Sequence, residues 1–172
     1  MYSGESRLES RTRTILELIK NNPGISYSDI LRRTGFANGV LSHHLDKIEE
    51  SGKITIMRSP RVARIYPCGI ENQEAVLIKN LRNPTIKKII ISLCDETLSF
   101  KEVTKMVSKS QGTVSVYLKE LTEQNIIIRM LHEGELVFRL ADTDYVKMVI
   151  SKHQTSLFER SADNISDIFS SI

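Results

Sequence analysis

Cysteine is nearly absent: Cys68 and Cys94 are the two in a chain of 172 residues. That excludes a disulfide-dense scaffold and a four-cysteine zinc site. Long hydrophobic runs are also missing. The longest uncharged, mostly apolar run in the middle of the chain is Ile89 to Cys94, far short of the ~20 residues a spanning helix needs, so no membrane is expected. Met1 to Thr14 is polar, carries three arginines and holds no apolar segment, so it does not read as a secretory signal and the cytoplasm is the expected compartment. No long polar tract appears, which argues against disorder. Glycine-rich phosphate loops, paired acids at an informative spacing and a nucleophile elbow are all lacking, so neither catalysis nor a cofactor is expected.

Charge is present but uneven. Residues 7–69 hold 11 Lys/Arg against 6 Asp/Glu, residues 82–140 hold 9 against 7, and residues 141–172 hold 3 against 5. The basic first stretch favours a polyanionic partner, for which nucleic acid is the common choice. It also fits a merely solvated basic face.

The chain repeats itself. Shifted by 73 residues, Ser26 to Met57 lies over Ser99 to Met130 without a gap. Ser26, Gly39, Ser42, Leu45, Glu50, Ile54 and Met57 meet identical residues, and apolar positions follow suit, as Tyr27 with Phe100, Ile30 with Val103 and Leu41 with Val114. The order of apolar, small and turn residues marks two copies of one module.

Each copy has one grammar. Leu8, Ile15, Leu16 and Ile19 predict a helix over about Arg7 to Asn21, and Asn22-Pro23-Gly24 stops it. A short extended piece follows at Ile25-Ser26, and then a second helix through Arg33 with Ser26 or Ser28 as its cap. Thr34-Gly35-Phe36 is a tight turn. A third helix runs over about Asn38 to Ser51, with Leu41, Leu45 and Ile48 as its apolar stripe and Gly52 at its end. Lys53 to Arg58 and Ala63 to Tyr66 read as two strands. The second copy gives helices at Pro84–Cys94, Lys101–Val107 and Gln111–Gln124, then strands at Ile126–Leu131 and Leu136–Leu140 around a turn at Glu133-Gly134. The fold class is mainly α with small β-hairpins (α+β). Residues 1–69 form module 1, 70–83 a linker with a short helix over Glu74–Leu81, and 84–140 module 2.

Residues 141–172 carry apolar side chains at Val146, Val149, Ile150, Leu157, Phe158, Ala162, Ile165, Phe169 and Ile172. The last five step by four, three, four and three. That spacing predicts a long amphipathic helix, or two with a break near Ser161. Such a stripe pairs with a second copy in a homodimer or folds back on its own domain.

The third helix of module 1, Gly39-Val40-Leu41-Ser42-His43-His44-Leu45-Asp46-Lys47-Ile48, followed by Gly52-Lys53-Ile54, resembles the recognition helix of ArsR- and MarR-like winged helix-turn-helix regulators, archaeal ones especially. The resemblance spans both copies, roughly residues 7–67 and 84–140. It implies a transcription regulator that binds double-stranded DNA. The residues support this on their own terms. With Leu41, Leu45 and Ile48 facing the core, Asn38, Gly39, Val40, Ser42, His43 and Lys47 are left on or near the outer face. Short polar side chains there reach base edges in a major groove, and lysine reaches phosphate. They also fit a plain exposed face. His44 is expected either outside or packed against the hairpin. Arg58, Arg61 and Arg64 surround one turn and suit phosphate or minor-groove contact, or a charged edge that discourages strand pairing.

In module 2 the corresponding candidates are Gln111, Thr113, Ser115 and Lys119. Its turn, His132-Glu133-Gly134-Glu135, is acidic and repels phosphate, so protein contact is as good a reading as a second DNA reader. Cys94 continues the stripe of Ile89, Ile90 and Leu93 and reads as a core thiol. His43 and His44 point ~100° apart on a helix and do not jointly chelate a metal ion. The competing reading of the whole is a tandem winged-helix scaffold that binds proteins. Nothing in the residues names an effector.

Overall fold

The computed structural model describes residues 3–60 and 62–158, with side chains from Arg7 onward. Two compact units emerge. One comprises residues up to Ala75 together with those from Thr155 on, and the other is Val76–Gln154.

The first unit begins with α1 (Ser3–Asn21), β1 (Ile25–Ser26), α2 (Tyr27–Thr34), α3 (Asn38–Glu50), β2 (Ile54–Met57) and β3 (Arg64–Pro67). Ser26 caps α2 by accepting from the Asp29 N–H, which satisfies a donor the helix start leaves unpaired. Gly35 closes α2 at φ 66°, a left-handed conformation that costs most residues a Cβ clash. The strands form one antiparallel sheet in the order β1-β3-β2. Ile15, Ile19, Ile25, Ile30, Leu41, Leu45, Ile48, Ile54 and Ile65 make the core.

Helix α4 (Asn72–Leu81) occupies the expected linker and crosses the boundary between the units. Within the first unit the buried Tyr66 hydroxyl donates to the Ala75 carbonyl at 3.1 Å. Within the second, Asn80 donates to the Gln124 side chain at 2.6 Å.

The second unit continues with α5 (Pro84–Leu93), β4 (Leu98–Ser99), α6 (Phe100–Val107), α7 (Gln111–Glu123), β5 (Ile127–His132), β6 (Glu135–Leu140) and α8 (Thr143–Lys152). Its sheet has the order β4-β6-β5. The repeat reaches into the strand register: Ile25 opposite Ile65 becomes Leu98 opposite Phe138, each 73 residues on, and Ile54 opposite Pro67 becomes Ile127 opposite Leu140. It reaches into the backbone too. The left-handed positions Gly35 and Gly52 recur as Ser108 and Asn125, at φ 52° and 55°.

The hairpins diverge at their tips. Glu133 and Gly134 both take positive φ, so β5 and β6 meet in a two-residue turn and pair as far as His132 opposite Glu135. Pro60 cannot adopt that geometry. The first hairpin therefore opens after Met57 into a loop, in which the Ser59 hydroxyl donates to the Val62 carbonyl at 2.7 Å.

The C-terminal helix breaks earlier than the apolar spacing predicts. Helix α8 ends at Lys152, and His153 leaves the helical region at φ −113°, eight residues before Ser161. Val146 and Val149 are buried. The stripe beyond Phe158, including Ala162, Ile165, Phe169 and Ile172, lies outside the described residues. Cys94 is half-buried at the end of α5, and burial pushes its thiol pKa up.

Candidate nucleic-acid interface

Helix α3 is fixed by its inner face. Leu41, His44, Leu45 and Ile48 are buried, and this leaves Asn38, Gly39, Ser42, His43 and Lys47 exposed and Val40 half-buried. The outer surface is therefore short, polar and basic. A Cβ added at Gly39 would meet nothing within 4 Å. No packing inside the chain calls for glycine there, and the helix can be approached closely from outside.

The start of α3 is held by Tyr27, whose hydroxyl donates to the Asn38 carbonyl at 2.9 Å and lies 2.6 Å from Asn38 Oδ1. Sequence reasoning treated Tyr27 as an apolar position. The signal was its hydroxyl, which the equivalent Phe100 lacks.

His44 corrects an expectation. It packs against α1 rather than the hairpin: Thr12 Oγ1 and His44 Nδ1 lie 3.1 Å apart. Burial lowers its pKa first, and the neighbouring His43, Arg11 and Lys47 lower it further. Arg11 also stacks on Phe36, with its guanidinium 5.6 Å from the ring centre. A histidine held neutral when folded but free to protonate when unfolded stabilises the fold fully above the ordinary range near pH ~6.5. That contribution is lost as pH falls through the depressed folded value. The first unit is thus expected to melt at a lower temperature at pH 5.5 than at pH 7.5. The difference should shrink in His44→Gln, as measured by thermal scans of both proteins at both pH values.

The three wing arginines have separate fates. Arg58 is pinned in a two-point ion pair, donating to Glu49 Oε1 at 2.9 Å and Oε2 at 2.7 Å. This pairing holds the Glu49 carboxyl below its usual pKa. Arg64 is half-buried and donates to the Gly24 carbonyl at 2.9 Å, which ties β3 to the turn before β1. Arg61 lies outside the described residues.

In module 2, Gln111, Ser115 and Lys119 are exposed on α7 and Thr113 is half-buried. The Thr113 hydroxyl lies 2.9 Å from that of Ser110, which caps the helix through the Thr113 N–H. Lys119 faces Glu123 at 3.8 Å. His43 of module 1 has the exposed Val116 as its counterpart, and Lys47 has Glu120. The polar and basic outer face is not repeated.

Among the described residues no group of acids, histidines and cysteines is placed to hold a metal ion, and no helix is long and apolar enough to cross a membrane.

Comparison with known proteins agrees with this geometry. Residues 8–55 match a family model described as winged helix-turn-helix DNA-binding, and residues 83–129 match the bacterial regulatory proteins of the arsR family. No curated protein matches significantly. Several solved structures are similar. The transcriptional repressor BigR from Xylella fastidiosa is 23% identical over 48% of this chain and 85% of its own, with a TM-score of 0.43. HlyU from Vibrio cholerae is 23% identical over 49% of this chain and 96% of its own, with a TM-score of 0.42. The hypothetical protein PyrSV_gp04 of Pyrobaculum spherical virus is 18% identical over 66% of this chain and 71% of its own, with a TM-score of 0.41. The two family matches fall on the two copies of the repeat. The chain is a tandem winged helix-turn-helix protein with an ArsR-like second module, and a DNA-binding transcription regulator.

Proposed function

We propose that module 1 is the DNA reader. In this reading the N-terminal half of α3 enters the major groove, where Asn38, Ser42 and His43 meet base edges. Lys47 and the loop around Arg61 meet phosphate. The observation that carries it is the exposed polar and basic face of α3, set on a buried stripe that leaves the helix no freedom to turn. The protein acts by binding, not catalysis, and works in the cytoplasm. A salt titration of duplex binding tests the reading. A steep fall in affinity with salt is expected from phosphate contacts. An absence of binding at low salt would favour the protein-binding scaffold, which the acidic second hairpin otherwise recommends.

The Arg58–Glu49 pair tunes the same surface. While Glu49 holds the guanidinium, phosphate must compete for it. Glu49→Gln is expected to tighten duplex binding and to steepen the salt slope by about one phosphate contact. Unchanged affinity and slope would show that Arg58 does not face DNA.

We also propose a homodimer, supported by the apolar spacing from Phe158 to Ile172 in the sequence. Removing residues 159–172, which leaves α8 in place, should turn a dimer into a monomer in light scattering. A monomeric full-length chain would remove that role. A dimer would make the preferred site an inverted repeat.

A further inference from the structure

Strand β5 lies at the edge of its sheet. One side of Ile127–His132 therefore offers main-chain N–H and C=O groups to a further strand. Register sets which side chains share the face turned toward α7: Ile127 with Leu140, Arg129 with Phe138, and Leu131 with Leu136. Beyond the buried members a groove of about 490 Å³ opens, lined among others by Phe100, Leu118, Lys119, Arg129, Leu136 and Phe138.

The first module serves as an internal control. At the position of Arg129 it has Ile56, which packs against the core. At the positions of Leu131 and Thr122 it has Arg58 and Glu49, the ion pair that straps the hairpin to α3. Module 2 has neither feature. Leu131 is 74% exposed and Leu136 42%. Arg129 forms no ion pair with any described residue, while Lys119 faces Glu123.

We propose that the β5 edge and this groove bind an extended segment of a partner protein by strand addition, with an acidic residue opposite Arg129 and an apolar residue two positions away over Leu131 and Leu136. Main-chain pairing supplies affinity and the alternating side chains supply specificity. The two-residue spacing follows from the strand repeat. Nucleic acid fits poorly, because Glu133 and Glu135 sit at the tip. A small molecule filling the groove would leave Leu131 uncovered, since the apolar strip runs on to the end of the hairpin. A second copy of β5 supplies no acid, because its sequence is Ile-Ile-Arg-Met-Leu-His. The inference goes beyond DNA reading by module 1 and stands without it.

Random octapeptides selected against the immobilised full-length chain test it. The enriched sequences should share Asp or Glu with an apolar residue two positions away. A synthetic peptide of that pattern should bind the Arg129→Glu variant at least about tenfold more weakly, and its lysine-for-acid counterpart should recover binding to that variant. Arg129 is exposed, so the variant should fold, and circular dichroism would verify this. Backbone amide shifts on peptide addition should concentrate in β5 and α7. Enrichment without that spacing, no enrichment, equal binding to the Arg129→Glu variant, or shifts elsewhere would each overturn the proposal.

Discussion

Leu45→Ala is expected to lower the stability of the first unit by about 2–5 kcal/mol, and to take DNA binding with it. Leu45 is 2% exposed and belongs to the cluster that also holds Ile15, Ile30, Leu41 and Ile48. Truncation there removes three carbons from a close-packed site between α3 and the rest of the module, and the surroundings relax only partly. A unit this small has little stability in reserve, and single domains rarely exceed about 5–15 kcal/mol. The repeat provides the matched control. Leu118 is the same residue 73 positions on and is also 2% exposed, so Leu118→Ala should cost the second unit a similar amount. Calorimetry of the two variants should shift different transitions. Anisotropy of a labelled duplex should then separate the modules: Leu45→Ala abolishes binding as its unit melts, while Leu118→Ala leaves it within a few-fold. The reverse pattern would move the DNA reader to module 2.

The sequence made α3 legible because its apolar residues recur at helical spacing and both ends carry turn signals. The second copy then placed α6 and α7 on the same ruler, including left-handed turns at Ser108 and Asn125 where no glycine advertises them. What stayed hidden depends on side chains meeting across long separations. Thr12 meets His44 from 32 residues away, and Arg64 meets the Gly24 carbonyl from 40. No periodicity encodes either contact. Arg58 and Glu49 are only nine residues apart, yet their pairing requires the hairpin to fold over the end of α3. Three arginines that looked equivalent around one turn were therefore not equivalent. The break at His153 escaped notice for a different reason: no glycine or proline marks it, and apolar spacing alone cannot locate the end of a helix.

Within module 1, the largest effects on recognition should divide by chemistry. Lys47 is exposed on the outer face of α3, and Arg61 is proposed for phosphate on its place in the sequence. Replacing both with alanine should weaken binding to every duplex alike and flatten the salt slope by roughly 0.9 for each lost phosphate contact. Ser42 and His43 lie one residue apart on the exposed face and should behave differently. A good base contact discriminates by ~1–3 kcal/mol, so alanine at either position should cost tenfold or more at particular bases while leaving the salt slope in place. Selection of bound duplexes from a random pool, repeated for each variant, reads both effects at once. If Ser42→Ala and His43→Ala return the parent's preferred site unchanged, α3 is not reading bases. If the Lys47→Ala, Arg61→Ala double variant changes the preferred site without weakening binding overall, these two residues are not phosphate contacts and the division of labour between helix and loop must be drawn the other way.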